Sequence, residues 1–156
     1  GMPRTSAGIL LSRRRPDGPE VLLGHMGGPF WARKDDGAWS IPKGEHDADE
    51  DPLAVAHREF EEELGSPVPS EHLVPLGAVR VTSAKVLTVW SAEGDLNATA
   101  TRSNTFELEW PPRSGRVQEF PEIDRAAWFG LDEARAKLVK GQVPFLDRLR
   151  DDVLAR

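Results

Sequence analysis

The chain has no cysteine and no tyrosine among its 156 residues. Lacking thiols, it cannot form a disulfide scaffold, a thiolate zinc site or a cysteine nucleophile, and it suits a reducing cytosol. No stretch approaches 18 consecutive apolar residues, so no helix is expected to span a membrane. The opening Gly-Met-Pro-Arg-Thr has no apolar signal core, and Gly1 before Met2 reads as a tag remnant. A single domain over 2–156 and a cytoplasmic location are therefore expected. Positive charge is also in deficit, the formal net charge being −6. An acidic chain of this kind argues against a general nucleic-acid binder. Hydrophobic residues make up 38%, enough for a folded core and too many for disorder.

The acid is concentrated. Between Gly44 and Gly65 nine carboxylates face one base, Arg58, for a net −8, while the rest of the chain carries +2. Asp51 can cap a helix with Pro52 in its first turn, and Gly65 with Pro67 can end it. Leu53, Ala56, Phe60 and Leu64 form an apolar stripe at helical spacing. On this helix Glu59, Glu62 and Glu63 stand at i, i+3 and i+4, so their carboxylates share one side. No Lys or Arg follows at i+4 to relieve the repulsion. Such a run is either a solvated face or a site for a hard cation that takes oxygen ligands.

Elsewhere, strands are expected at Thr5–Ser12, Val21–Leu23, Trp39–Ile41, Ala78–Thr82, Lys85–Ala92, Thr105–Trp110 and Ala126–Phe129. Helices are expected at Asp132–Val139 and Pro144–Leu154. Dispersed helices among more numerous strands imply a mixed sheet with helices packed on it. His25, His46, His57 and His72 lack metal-ligand spacing and are given no catalytic role.

From Gly44 the chain runs through five residues to Glu50, seven more to Arg58-Glu59, then Phe60-Glu61-Glu62-Glu63-Leu64-Gly65. This resembles the signature of the Nudix hydrolases, matching all seven fixed positions, with Phe60 in the apolar slot. Chance agreement would occur in roughly one window in 10⁸ at ordinary residue usage. Ser66 departs from an apolar preference beyond the helix. The resemblance implies an α/β fold, an α/β/α sandwich around a mixed β-sheet. It also implies a Mg²⁺-dependent enzyme, with Mn²⁺ as substitute, that cleaves a phosphoanhydride by water attack. By resemblance Glu59, Glu62 and Glu63 hold the metal together with Gly44. Glu59 also accepts a proton from water, Arg58 orients it, and Glu50 assists. A further acid from outside this segment is expected, with Glu122 and Glu119 as candidates.

Upstream, Trp39-Ser-Ile-Pro-Lys43-Gly44 resembles the corresponding stretch in diadenosine polyphosphate hydrolases. Trp39 and Lys43 then become substrate-binding candidates, as do Phe30, Trp31, Arg33 and Lys34 in the preceding Gly-rich loop. Phe30-Trp31 would stack a base or anchor the loop, and the cations would hold phosphates. The missing tyrosine counts against a diadenosine tetraphosphate enzyme, because those enzymes commonly stack adenine on one. Phe106, Trp90 or Trp110 would have to substitute. The expected partner is a small nucleotide polyphosphate, first a dinucleoside polyphosphate. Alternatives are a nucleoside triphosphate, a diphosphoinositol polyphosphate, and a nucleotide sensor without turnover. No nucleic-acid or membrane partner is expected.

Overall fold

A computed structural model describes residues 2–156. Strand β1 (Arg4–Arg15) lies inside a seven-stranded mixed sheet. Beside it run β2 (Gly18–Met26) and β6 (Lys85–Glu93), with β3 (Trp39–Ser40) beyond β2 and β5 (Leu73–Thr82) beyond β6. β4 (Lys43–His46) pairs antiparallel with the first part of β1, and β9 (Ile123–Gly130) pairs antiparallel with β2. The β1–β6 pairing is parallel. A separate hairpin is formed by β7 (Thr105–Glu109) and β8 (Val117–Pro121).

The apolar run of β1 is continuous because both faces of the sheet are covered. Leu10, with Val21 and Leu23 of β2 and Leu87 and Val89 of β6, belongs to one core cluster. That cluster is closed by α2 (Leu131–Lys137) and α3 (Pro144–Leu149) through Ala134, Phe145, Leu146 and Leu149. Ala7, Ile9 and Leu11 project the other way, with Leu22, against α1 (Pro52–Leu64). The expected α/β/α sandwich is thus the observed architecture. No helix among the described residues is long and apolar enough to cross a membrane.

Helix α1 forms where its caps dictate. Asp51 accepts from the amide of Leu53, Pro52 opens the first turn, and Gly65 closes the helix in a left-handed conformation. Val55, Ala56, Phe60 and Leu64 are its buried apolar residues, while Leu53 is only half-buried. The chain beyond α3 widens into a looser coil over Arg150–Leu154, shortening the α-helix expected there. Two strands, β4 and β8, were not expected, and β1, β2, β5 and β9 extend well past their predicted limits.

Candidate active site

The carboxylate helix packs its stripe on the sheet, and that rotation sets the fate of each acid. Glu63 borders the stripe and is 8% exposed. Glu59 is mostly covered, with a side chain 16% exposed, and Glu62 is exposed. Gly44 on β4 runs under Glu59. A Cβ on Gly44 would stand 2.1 Å from Glu59 Cδ, so only glycine lets the carboxyl group rest there.

Glu122 enters from the other side, at the junction of β8 and β9. Its amide donates to the carbonyl of Asn104, and its carbonyl accepts from the amide of Gly27, each at 2.9 Å. Gly27 permits this approach, since a Cβ there would lie 1.8 Å from the Pro121 carbonyl oxygen. Asn104 is fixed in turn by α1, its amide donating to the Glu62 carbonyl at 2.7 Å. The Arg102 amide donates to Leu64 at 3.1 Å, so residues 102–104 satisfy carbonyls that the helix end leaves free. The helix terminus therefore sets where Glu122 stands relative to Glu63.

Glu63 and Glu122 share a cavity of about 210 Å³ with Lys43, Trp31, Met26 and Phe106. A second cavity of about 290 Å³ shares Met26, Trp31, Ser40 and Lys43 with the first, and adds Lys85 and Val139. The two form one groove, acidic at one end.

Too little positive charge faces these acids. Burial pushes Glu63 up to about 8 from its ordinary 4.5, with Glu59 and Glu122 adding to the effect. The Lys43 charge and the Lys43 amide, which donates to Glu63, oppose it. Glu59 is raised by burial and then by Glu62 and Glu122, against Arg58 and Lys43. Glu122 is raised by burial, against Lys43. Glu50 behaves oppositely: the Asp47 amide, donating at 2.8 Å, and Arg58 at 3.3 Å hold it below its ordinary value. Arg58 lies between Glu50 and Glu59, with the Glu59 oxygen at 3.8 Å. It is placed to steady the Glu59 carboxylate while closer to Glu50.

Among the described residues no three acidic or histidine side chains stand in a closed coordination arrangement. The donor set nevertheless suits a hard divalent cation: several carboxylates, no sulfur, no imidazole. Groups that hold protons this firmly are those a cation would discharge on binding.

Other expected contacts fall elsewhere. Trp39 is 4% exposed and lines neither cavity. Its ring packs edge-on against His25 and Phe129, and its Nε1 donates to Asp35 at 2.9 Å. Strand pairing with β2 turns it into the core. Arg33 and Lys34 also lie outside both cavities, with the Lys34 ammonium 5.2 Å from the Trp31 ring centre. Phe30 is 63% exposed and meets Trp110 edge-on at 5.4 Å, while Trp31 faces the groove. Glu119 is exposed on the hairpin, paired in register with Glu107, and not in the cavity.

Sequence reasoning passed over His25. It is fully buried; its Nε2 donates to the Lys34 carbonyl at 2.7 Å, and its Nδ1 is 2.9 Å from Asp124 Oδ1. The ring ties the end of β2 to the loop carrying Trp31 and to the segment following Glu122. Only a fold brings these partners together, although a lone His between apolar residues and a Gly-rich loop is a fair signal of a buried tie.

A NUDIX domain model matches residues 2–149. A search of curated proteins finds no match. Among solved structures, the chain is similar to the NUDIX domain of Shewanella oneidensis NrtR complexed with ADP ribose. The TM-score is 0.66 at 15% identity, covering 98% of this chain and 90% of that one. It is also similar to a C. elegans Ap4A hydrolase in a binary complex, with TM-score 0.63, 20% identity, and coverage of 98% and 99%. For RenU, a Nudix hydrolase from M. smegmatis, the values are 0.60, 23%, and 99% and 88%. At these identities the structural likeness is one of fold, and the domain match carries the family. The chain belongs to the Nudix family, hydrolases that act on pyrophosphate bonds.

Proposed function

We propose that this chain is a divalent-metal-dependent pyrophosphohydrolase of nucleotide polyphosphates, with a dinucleoside polyphosphate as substrate and Mg²⁺ as the cofactor, Mn²⁺ substituting. The observation that carries the reading is the convergence of Glu59, Glu63 and Glu122 beside Lys43 at one end of a groove, each carboxyl raised by burial. An acidic cluster of this kind is costly to bury unless a cation or protons neutralise it. Glu59, Glu62 and Glu63 would hold the metal, with Gly44 beside them and Glu122 as the acid from outside the helix. A bound divalent cation neutralises phosphate oxygens and acidifies water.

The chain's own residues do the rest. Glu59 takes the proton as water attacks phosphorus, and Arg58, braced on Glu50, keeps its carboxylate aimed. Lys43 places its ammonium near the scissile phosphates, where charge develops. Trp31 offers an aromatic wall between the two cavities, a surface on which a nucleoside can lie. The fold shared with a C. elegans Ap4A hydrolase supports the dinucleotide reading. The fold shared with an ADP-ribose-bound NrtR domain keeps a nucleotide sensor in view. The full set of acids on α1 favours turnover, since a sensor without turnover tends to lose these glutamates and this chain keeps them all.

The test is a panel of nucleoside triphosphates and dinucleoside polyphosphates incubated with Mg²⁺ or Mn²⁺, with products separated by chromatography. Metal-dependent cleavage at a phosphoanhydride, fastest on a dinucleotide, is the expected result. Binding without cleavage of any member would establish the sensor instead.

A further inference from the structure

The second cavity contains a cation that no described acidic side chain pairs with. Lys85 opens β6, is half-buried, and lines the apolar part of the groove with Trp31, Val81 and Val139. The two lysines of this cavity differ in their surroundings. Lys43 is drawn electrostatically to Glu59, Glu63 and Glu122. No described acidic side chain forms an ion pair with Lys85. Its neighbour across the β1–β6 pairing, Arg4, is bound to Glu45 at 3.4 Å.

Strand register places the two lysines on the same side of the sheet. Lys43 pairs with Gly8 and Lys85 with Arg4, and these two β1 residues are four positions apart. Side chains four apart on a strand share a face; the two β1 positions are about 13 Å apart, and β4 and β6 flank β1 on opposite edges, which puts the lysine backbones about 16 Å apart. The groove thus has an acidic end, a cation beside it, and a second cation displaced along the strands.

The remaining polar groups of the second cavity are already engaged. Gln142 accepts from the Ile41 amide at 2.8 Å and donates to Ser40 Oγ at 3.0 Å. Ser40 donates to the Ile41 carbonyl at 2.8 Å, and Thr82 accepts from the Ala84 amide at 3.1 Å. The side chains that could read a base edge, which presents donors next to acceptors, are each committed to a neighbour in the protein. The ammonium of a half-buried lysine without an ion pair instead complements an anion.

We propose that Lys85 is a specificity-determining residue that binds a phosphate of the substrate remote from the scissile bond, so that the groove selects for polyphosphate length and not for base identity. The apolar wall accepts sugar and base without discriminating among them. Lys85 takes the role in distal phosphate binding that the sequence suggested for Arg33 and Lys34. The inference rests on the polyphosphate reading of the site.

Its test compares wild type with Lys85→Met, which keeps the stem, and Lys85→Arg, which keeps the charge. KM and kcat are measured with Mg²⁺ on dinucleoside diphosphates, triphosphates and tetraphosphates, and on the triphosphates of all four bases. Lys85→Met is expected to raise KM about tenfold or more on the longest chain. On the shortest, KM should stay within roughly twofold, with kcat unchanged and the four bases affected equally. Lys85→Arg should restore most of the loss. A penalty independent of chain length, one that follows the base, or none at all overturns the proposal. If the wild type cleaves none of these compounds, the proposed function fails, and Lys85 is judged by binding alone. Inorganic tripolyphosphate should then bind wild type more tightly than pyrophosphate does, with the advantage gone in Lys85→Met; equal affinities in wild type overturn the proposal.

Discussion

Replacing Glu63 by Gln should make the metal-free protein more stable, and by an amount that depends on pH. The folded state holds the Glu63 proton up to about pH 8, whereas the ordinary value is 4.5. A group raised in this way contributes its full share of stability below 4.5 and loses it as pH rises through 8. The loss accrues at about 1.4 kcal/mol per pH unit, so at pH 7–8 it approaches roughly 3–4 kcal/mol. Glutamine is nearly isosteric and never ionises, so it escapes that loss. It also weakens the bond from the Lys43 amide, at about 1–2 kcal/mol. A net gain of about 2 kcal/mol at pH 8 remains, raising Tm by roughly 4–8 °C for a chain of this size. Thermal melts followed by circular dichroism from pH 4 to 9, in a chelator, measure the difference between the two proteins. That difference should be smallest near pH 4 and climb towards pH 8. Millimolar Mg²⁺ should raise the wild-type Tm at pH 8 and move the variant much less. A variant less stable than wild type at pH 8, or a difference flat with pH, would refute the reasoning that Glu63 is buried against its own charge.

Gly44→Ala should leave the fold intact by circular dichroism and cut metal-dependent kcat about 10²-fold or more, because the new methyl displaces the Glu59 carboxyl. His25→Ala removes a fully buried tie and strands the Lys34 carbonyl, so chemical denaturation should show a loss of about 2–4 kcal/mol. Trp31→Ala should lower kcat/KM on a dinucleoside polyphosphate by about 1–3 kcal/mol if a base stacks there. Its effect on a simple triphosphate should be much smaller, and equal losses would make the ring a wall of the cavity only.

Helix α1 was legible because its determinants are local: a cap, a proline, a stripe and a glycine all lie within its own segment. The strand cores of β1, β2 and β6 were legible because burial on both faces demands unbroken apolar runs. β4 was not, since Lys-Gly-Glu-His has no strand signal and is extended only because β1 offers it partners. β8 failed likewise, its exposed Val-Gln-Glu sequence being ordered by β7. The site divided along the same line. Acids spaced along one helix could be placed together from their spacing. Glu122 could be named only alongside Glu119, because backbone closure at Gly27 and Asn104 distinguishes them. Trp39, Arg33 and Lys34 were grouped with the groove on nearness in the chain, and the fold places them outside both cavities. Lys85 gave no signal, as the case for it rests on its place in the second cavity and on the lack of an ion pair among the described residues, neither of which is local in sequence.

The bond between the Glu122 amide and the Asn104 carbonyl closes a neck, and the whole β7–β8 hairpin emerges from that neck. Both sides of the neck are fastened to the body of the fold, Asn104 to the helix end and Glu122 to Gly27. Residues 105–121 can therefore be lengthened, shortened or exchanged without moving the acid that follows them. The hairpin supplies Phe106 to the acidic cavity and Trp110 to the exposed Phe30. A graft of a different hairpin at this neck would change what the groove admits while leaving Glu59, Glu63 and Glu122 in register, which makes 105–121 a replaceable cassette for altering what the groove accepts.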